Sequence, residues 1–341
     1  MTDGRRVLVT GISGFLGGHV ALALLKRGYM VRGSLRDLSR AKKVHTTLQE
    51  AGADTARLEF CSLDLLDDAG WADAAEGCQY LQHIASPFVL TMPKDENALI
   101  GPAVDGTRRA LRAALDAGHE RIVLTSSVAA IDGGRRDYRQ PLTPGDWTQT
   151  DGPRVNAYAK AKTLAEKSAW ALVEAEGEKN TLAVINPGTM LGPLLDDDPG
   201  TSASVIQRLL KGEMPMIPNL ILPYVDVRDV AEAQVAAMIA PEAGGHRHIV
   251  TNPCVPMGEI AQMLRDKIPE RAATIPKRQL PSFMAAILKR FDASLRDSST
   301  YLGVPRRYDG SSGIALLGHP LIPTDDALLT TARSLMQRHL A

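Results

Sequence analysis

A doubly wound α/β fold on a parallel sheet, with a smaller, discontinuous mixed α/β lobe, is predicted by three features of this 341-residue sequence. Short β-branched or apolar runs alternate with helical patterns through the first half. A glycine-rich turn joins the first of these runs to the first helix. After Pro193 the alternation loosens into separate helices and segments punctuated by Pro215, Pro218 and Pro223.

Strands are expected at Arg5 to Thr10, Met30 to Leu35, Arg57 to Ser62, Gln79 to Ala85, Arg121 to Ser126 and Thr181 to Asn186. Between them lie helical stretches such as Phe15 to Arg27, closed by Gly28, and Ala103 to Ala117, closed by Gly118. A glycine just past the last turn takes the left-handed conformation that ends a helix. Strand-like runs return at Ile221 to Val227 and His246 to Thr251. Residues 1–190, completed by segments near 221–252, are therefore expected to form the sheet domain, and 191–220 with 253–341 the second lobe.

Composition narrows the function classes. Lysine plus arginine equals aspartate plus glutamate, 39 of each, so no net field draws the chain to nucleic acid or to an anionic membrane. Cys61, Cys78 and Cys254 are odd in number and form no CxxC pair, which argues against a disulfide framework or a metal site and for small buried hydrophobes. No signal-peptide pattern and no apolar run of membrane-spanning length occur, so a cytoplasmic location is expected.

The first strand runs into Thr10-Gly11-Ile12-Ser13-Gly14-Phe15-Leu16-Gly17, a GxxGxxG loop that opens a helix. Glycines there allow a tight turn, a close backbone approach to a pyrophosphate and close packing of helix on sheet, while the helix N-terminus favours the anion. The strand before and the helix after are the context that gives such a motif meaning, and they identify a Rossmann-type dinucleotide site. Arg36, nineteen residues after Gly17 at the end of the second strand, with Lys43 following, suits the 2′-phosphate of NADP(H). Asp37 beside it is the alternative reader, for NAD.

Tyr158 and Lys162 lie four residues apart at the head of an alanine-rich helical run extending to Ala175, which puts both on one helix face. Alone, such a pair is most often amphipathic surface decoration. The strand ending Thr125-Ser126-Ser127 changes the reading, because strand carboxyl ends face the ligand crevice of an open α/β sheet. A serine hydroxyl there can hold a reacting carbonyl oxygen, a tyrosine can act as general acid or base, and a neighbouring ammonium lowers the phenol toward neutrality.

With these residues in view, the chain resembles the extended short-chain dehydrogenase/reductases, in the branch of dihydroflavonol reductases, cinnamoyl-CoA reductases and microbial aldehyde/ketone reductases. The likeness rests on the glycine loop with Phe15, Arg36, Asp64-Leu65, His83-Ile84-Ala85-Ser86-Pro87, Thr125-Ser126-Ser127, the tyrosine/lysine pair, Asn186-Pro187-Gly188, and Tyr224 to Val230. It implies Ser127, Tyr158 and Lys162 as catalytic residues, with Ser126 structural. It also implies Asp64 and Leu65 against the adenine, Ala85 beside the pyrophosphate or ribose with Ser86 and Pro87 next to it, and Pro187 against the nicotinamide. Ala161 departs from the serine that many relatives carry before the lysine.

Other features take plainer readings. His83 is expected to be packed or backbone-bonded, Asp226, Arg228 and Asp229 to form stabilising ion pairs, Asp196-Asp197-Asp198 to be a solvated loop, and Phe283 to Phe291 to pack the second lobe. The expected activity is reversible, NADPH-dependent reduction of an aldehyde or ketone to the alcohol. Phe88, Ile131, Met190, Leu194 and Leu195, as candidate pocket residues, suggest a medium-sized, largely apolar small-molecule substrate. A monomer or homodimer is expected. The competing readings are a nucleotide-sugar epimerase or dehydratase with tightly bound cofactor, and a dinucleotide-binding regulator without turnover.

Overall fold

Residues 4–87, 93, 95–288, 290, 291 and 293–341 are described by a computed structural model. Seven short runs form one all-parallel sheet: β1 (Arg6–Thr10), β2 (Met30–Leu35), β3 (Leu58–Ser62), β4 (Tyr80–His83), β5 (Arg121–Thr125), β6 (Leu182–Pro187) and β9 (Arg247–Val250), in the order β3-β2-β1-β4-β5-β6-β9. Alternation along β1 shows why both faces are apolar. Val7 and Val9 enter one core with Val20 and Leu24 of α1 (Phe15–Lys26) and Val230 of α7 (Val227–Ile239), while Leu8 enters another with Leu111 of α4 (Asn97–Asp116) and Ala169 of α5 (Ala157–Ala175). The chain order reverses at β1, which pairs with β2 on one side and β4 on the other. That reversal opens the crevice in which ligands of such sheets bind, outside the strand carboxyl ends.

A second sheet of mixed sense, in the order β10-β8-β7, contains β7 (Thr189–Leu191), β8 (Ile221–Asp226) and β10 (Cys254–Pro256). Of the two late strands grouped with the main sheet from sequence, β9 joins it and Ile221–Asp226 runs in this smaller one. Its core unites Ile206 and Leu209 of α6 (Gly200–Leu210), Ile260 and Leu264 of α8 (Met257–Lys267) and Leu328 and Leu335 of α12 (Thr324–Gln337). Shorter helices complete the set: α2 (Ala41–Glu50), α3 (Trp71–Ala75), α9 (Ser282–Leu288), α10 (Ala293–Asp297) and α11 (Ser311–Leu317).

Two expectations are corrected. The helix expected from Ala103 starts at Asn97 and runs through Pro102, because Leu99 and Ala103 pack on Ala157, Ala161 and Ala165 of α5, and that contact outweighs the lost backbone bond. Phe283 to Phe291 does not pack the lobe: Phe283 is 69% and Phe291 83% exposed, Ile287 and Leu288 are also exposed, and the short α9 buries only Ala285. Residue 289 lies outside the described residues. No described helix is long and apolar enough to cross a membrane.

Candidate active site

The glycine loop is shaped by contacts that leave no room for a side chain. Gly11 has φ +70°, and a Cβ on it would meet the Ala85 backbone at 3.0 Å; one on Gly17 would lie 2.1 Å from the Gly11 carbonyl oxygen. Gly14 caps α1 without any side-chain hydrogen bond, so the unpaired N–H groups of the first turn remain available to an anion. Ser13, Gly14 and Phe15 border a cavity closed on its far side by Val44, Leu195 and Asp196. These residues fit the pyrophosphate of a dinucleotide.

At the end of β2, Arg36 is exposed and makes no ion pair among the described residues. Asp37 is engaged: its carboxylate accepts hydrogen bonds from Ser39 N (2.9 Å) and Oγ (2.6 Å), which hold it below the usual carboxylate range. The would-be NAD reader thus serves as a cap. Lys43 pairs with Asp196 at 3.2 Å, and Asp197 with Arg338 of the C-terminal segment at 2.9 Å, so two of the three aspartates expected in a solvated loop form ion pairs.

Thr10 and His83 meet where β1 and β4 end. The Thr10 hydroxyl accepts from the N–H groups of Ile84 (3.0 Å) and Ala85 (3.1 Å), so its own proton goes to His83 Nδ1 at 2.9 Å. His83 is therefore neutral with its proton on Nε2, and burial, helped by the nearby Lys162 charge, pushes it down to about 3. It is packed, as expected, and is not an acid. Asp64 is half-buried and its side chain turns back onto Leu66 N (2.9 Å), while Leu65 fits beneath Gly106 of α4. Ala85, Ser86 and Pro87 are half-buried along the crevice, and Pro187 is buried at the end of β6.

The structure brings Ser127, Tyr158 and Lys162 together above β5. Asn156 caps α5, its Oδ1 accepting from Ala159 N at 2.8 Å, and so sets the azimuth of Tyr158 and Lys162. The Tyr158 phenol opens to the cleft (37% exposed); enclosure on its other sides pushes its pKa up, and a hydrogen bond with Ser127 draws it down. Lys162 donates to the Thr125 carbonyl at 3.2 Å, and burial lowers its ammonium to about 8 against the pull of Glu166. The expected lowering of Tyr158 by Lys162 is absent from this arrangement: burial pushes the phenol up from its ordinary value, and only the Ser127 hydrogen bond draws it down.

Several residues were not legible from the sequence. Glu166, one turn beyond Lys162, is wholly buried and accepts from Ser126 Oγ (2.5 Å), Asn186 Nδ2 (3.0 Å) and Trp170 Nε1 (3.3 Å), and pairs with Arg247 of β9. Ser126 is thus structural, as read. A seam joins the second lobe to the start of α5: Asn156 Nδ2 donates to the Asp297 carbonyl at 2.9 Å, and Thr300 Oγ1 to that of Arg154, a residue held at φ 59°. Buried Asp132 extends the seam by accepting from Tyr308 at 2.5 Å beside Arg306, whose guanidinium lies over Tyr138 and Tyr301. Asp226 forms the expected ion pair with Arg228 (2.7 Å), whereas Asp229 makes no ion pair among the described residues and accepts instead from Ile322 N (2.7 Å).

The apolar pocket candidates fare worse. Phe88 lies outside the described residues, Ile131 and Leu194 are buried in the cores, Met190 packs against the main core, and Leu195 lies by Gly18 on the dinucleotide side. Among the described residues no cluster of His, Cys, Asp or Glu could hold a metal ion.

The model of the NAD dependent epimerase/dehydratase family matches residues 7–251. Similar proteins include cinnamoyl-CoA reductase 1 of Oryza sativa subsp. japonica, 38% identical over 79% of this chain and 77% of its own. Cinnamoyl-CoA reductase 1 of Arabidopsis thaliana is 31% identical over 99% of this chain and 91% of its own. Among solved structures, yeast methylglyoxal/isovaleraldehyde reductase Gre2 complexed with NADPH superposes with a TM-score of 0.81 at 25% identity, covering 98% of this chain and 100% of that one.

Proposed function

The chain belongs to the NAD dependent epimerase/dehydratase family, and from that premise we propose that it is an NADPH-dependent reductase converting an aldehyde or ketone to the alcohol, reversibly. The observation that carries the reading is the Ser127 hydroxyl set against the Tyr158 phenol, with Lys162 on the same helix face, beside the glycine loop. Relatives named as reductases of a thioester and of small aldehydes support it over a redox-neutral epimerase. Arg36, free at the end of β2 while Asp37 is engaged as a cap, supports NADPH over NADH. Residues 191–220 and 253–341 are the proposed substrate lobe.

In this reading the Ser127 and Tyr158 hydroxyls hold the substrate carbonyl oxygen. The bound nicotinamide supplies hydride to the carbonyl carbon. Tyr158, a phenol protonated at neutral pH, gives its proton to the oxygen, and the Lys162 ammonium stabilises the phenolate that remains and holds the ribose. The glycine loop holds the pyrophosphate and Arg36 the 2′-phosphate. The test is incubation of the purified protein with NADPH and a panel of aldehydes, ketones and acyl thioesters. Carbonyl-dependent loss of NADPH absorbance is expected; tight NADPH binding without consumption on any member overturns the proposal.

A further inference from the structure

We infer that Glu166, clamped by Arg247, is a positioning residue for this reaction: it locks the strand end that carries Ser127 and supports the charged form of Lys162 from one helical turn away. The inference rests on the reading above and deepens it. Tyr158, Lys162 and Glu166 follow one another at four-residue steps, so they form a single stripe on α5 facing the strand ends. A carboxylate on the buried stripe of an alanine-rich helix is costly, and replacing such ion pairs by apolar residues is often neutral or stabilising. Fold stability is therefore a weak reason for its presence.

The geometry supplies a better one. Glu166 Oε2 accepts from Ser126 Oγ and from Asn186 Nδ2, and the same Asn186 nitrogen donates to the Ser127 carbonyl at 3.1 Å. The backbone on both sides of the Ser127 nitrogen is thereby referred to one carboxylate. Arg247 cannot drift, because it lies 3.8 Å over the Trp147 ring and donates to the carbonyls of Pro144 (2.7 Å) and Asp146 (2.6 Å). Glu166 also lies one turn along α5 from Lys162, and its carboxylate favours the ammonium against the lowering by burial.

The other groups around Lys162 do not replace Glu166. From the sheet come the Thr125 carbonyl and neutral His83; from α5 comes the uncharged Tyr158 phenol. Just ahead of α4, Glu96 is paired with Lys160. Glu166 is thus the one anion acting on Lys162 among the described residues.

The test compares E166Q, the double variant E166Q/R247M and R247K with the parent, in kcat/KM against pH and in NADPH affinity against pH from nicotinamide fluorescence. Lys162 titrates near 8 in the parent, so both profiles should fall through that region as the ammonium is lost. Removing an opposite charge one helical turn away should move the limb to lower pH by about one unit in E166Q. The double variant leaves no orphaned Arg247 guanidinium, so it keeps the test alive if E166Q does not fold; its limb should also move down. R247K disturbs the same network yet keeps a cation and the Glu166 anion, so its limb should stay in place even if its Tm falls. A limb unmoved in the Glu166 variants, or displaced equally in R247K, overturns the inference. A parent that binds NADPH but reduces no carbonyl would instead defeat the functional reading, while the binding profiles still decide the role of Glu166.

Discussion

Gly17→Ala is expected to weaken both the fold and NADPH binding, and the structure gives the scale. The new methyl would sit 2.1 Å from the Gly11 carbonyl oxygen, 2.8 Å from the Gly11 carbonyl carbon and 3.0 Å from Ile12 Cα. All three are backbone atoms, so no rotamer change relieves the clash. Ordinary contact begins near 3.4 Å, and α1 must therefore move away from the loop by about 1.3 Å. Overpacking of this kind costs about 1–3 kcal/mol, which in a chain of this size lowers Tm by roughly 1–4 °C. The same displacement pulls the first-turn N–H groups off the phosphate; losing one charge-assisted hydrogen bond, worth about 1.5–3 kcal/mol, weakens binding roughly 10- to 150-fold. Gly14→Ala separates the two effects. Its Cβ would meet only the Gly11 oxygen, at 3.4 Å, and its φ of −86° suits any residue, so Tm should hold while the methyl intrudes on the anion's space and affinity falls. Thermal melts and fluorescence titration with NADPH measure both. A Gly17→Ala protein with the parent's Tm and affinity would refute the packing argument.

Tyr158→Phe should keep the fold and NADPH affinity and lose about 10²- to 10⁴-fold in kcat, since the ring remains and only the proton donor goes; single-turnover rates within threefold of the parent would remove Tyr158 from the chemistry. With the Lys162 ammonium lowered to about 8, it is present below that pH and lost as pH rises through it, so the parent's kcat/KM should decline above about pH 8; Lys162→Ala should abolish that limb and weaken NADPH as well. Arg36→Asp should reverse the cofactor preference, with NADPH losing roughly 10- to 150-fold in affinity through one charge-assisted contact, and kcat/KM for both cofactors reads it directly. Lys43→Ala should cost less than Arg36→Asp, because Lys43 is shared with Asp196.

The main sheet was legible because its signals are local. A short apolar run followed by Gly11, Gly14 and Gly17 at the head of a helix points to one arrangement, and Tyr158 and Lys162 declare their shared face by spacing alone. What escaped depends on partners far away in sequence. Glu166 meets Arg247 81 residues on, and nothing near Glu166 announces that its side of α5 is buried beneath three strand ends. α4 begins at Asn97, ahead of the expected Ala103, because the helix–helix contact that carries it through Pro102 is tertiary. Ile131 and Leu194 look the same in sequence whether they line a pocket or fill a core, so hydrophobicity could not assign them. Tyr158 shows the same limit in electrostatics: proximity to a lysine could be read from spacing, but the depth of enclosure that outweighs it could not.

The seam at Asn156 bears on how substrate range can be altered in such a chain. One amide both starts the catalytic helix and grips the Asp297 carbonyl, and Thr300 holds the strained Arg154 in the preceding turn. A recombinant chimera that imports residues 281–310 from a relative, leaving 154–156 behind, would tilt the axis of the helix that carries Tyr158 and Lys162 even if every imported residue suited its own surroundings. The two stretches are therefore one unit of inheritance: diversity in this lobe should be introduced by exchanging them together, or confined to positions that do not touch the seam.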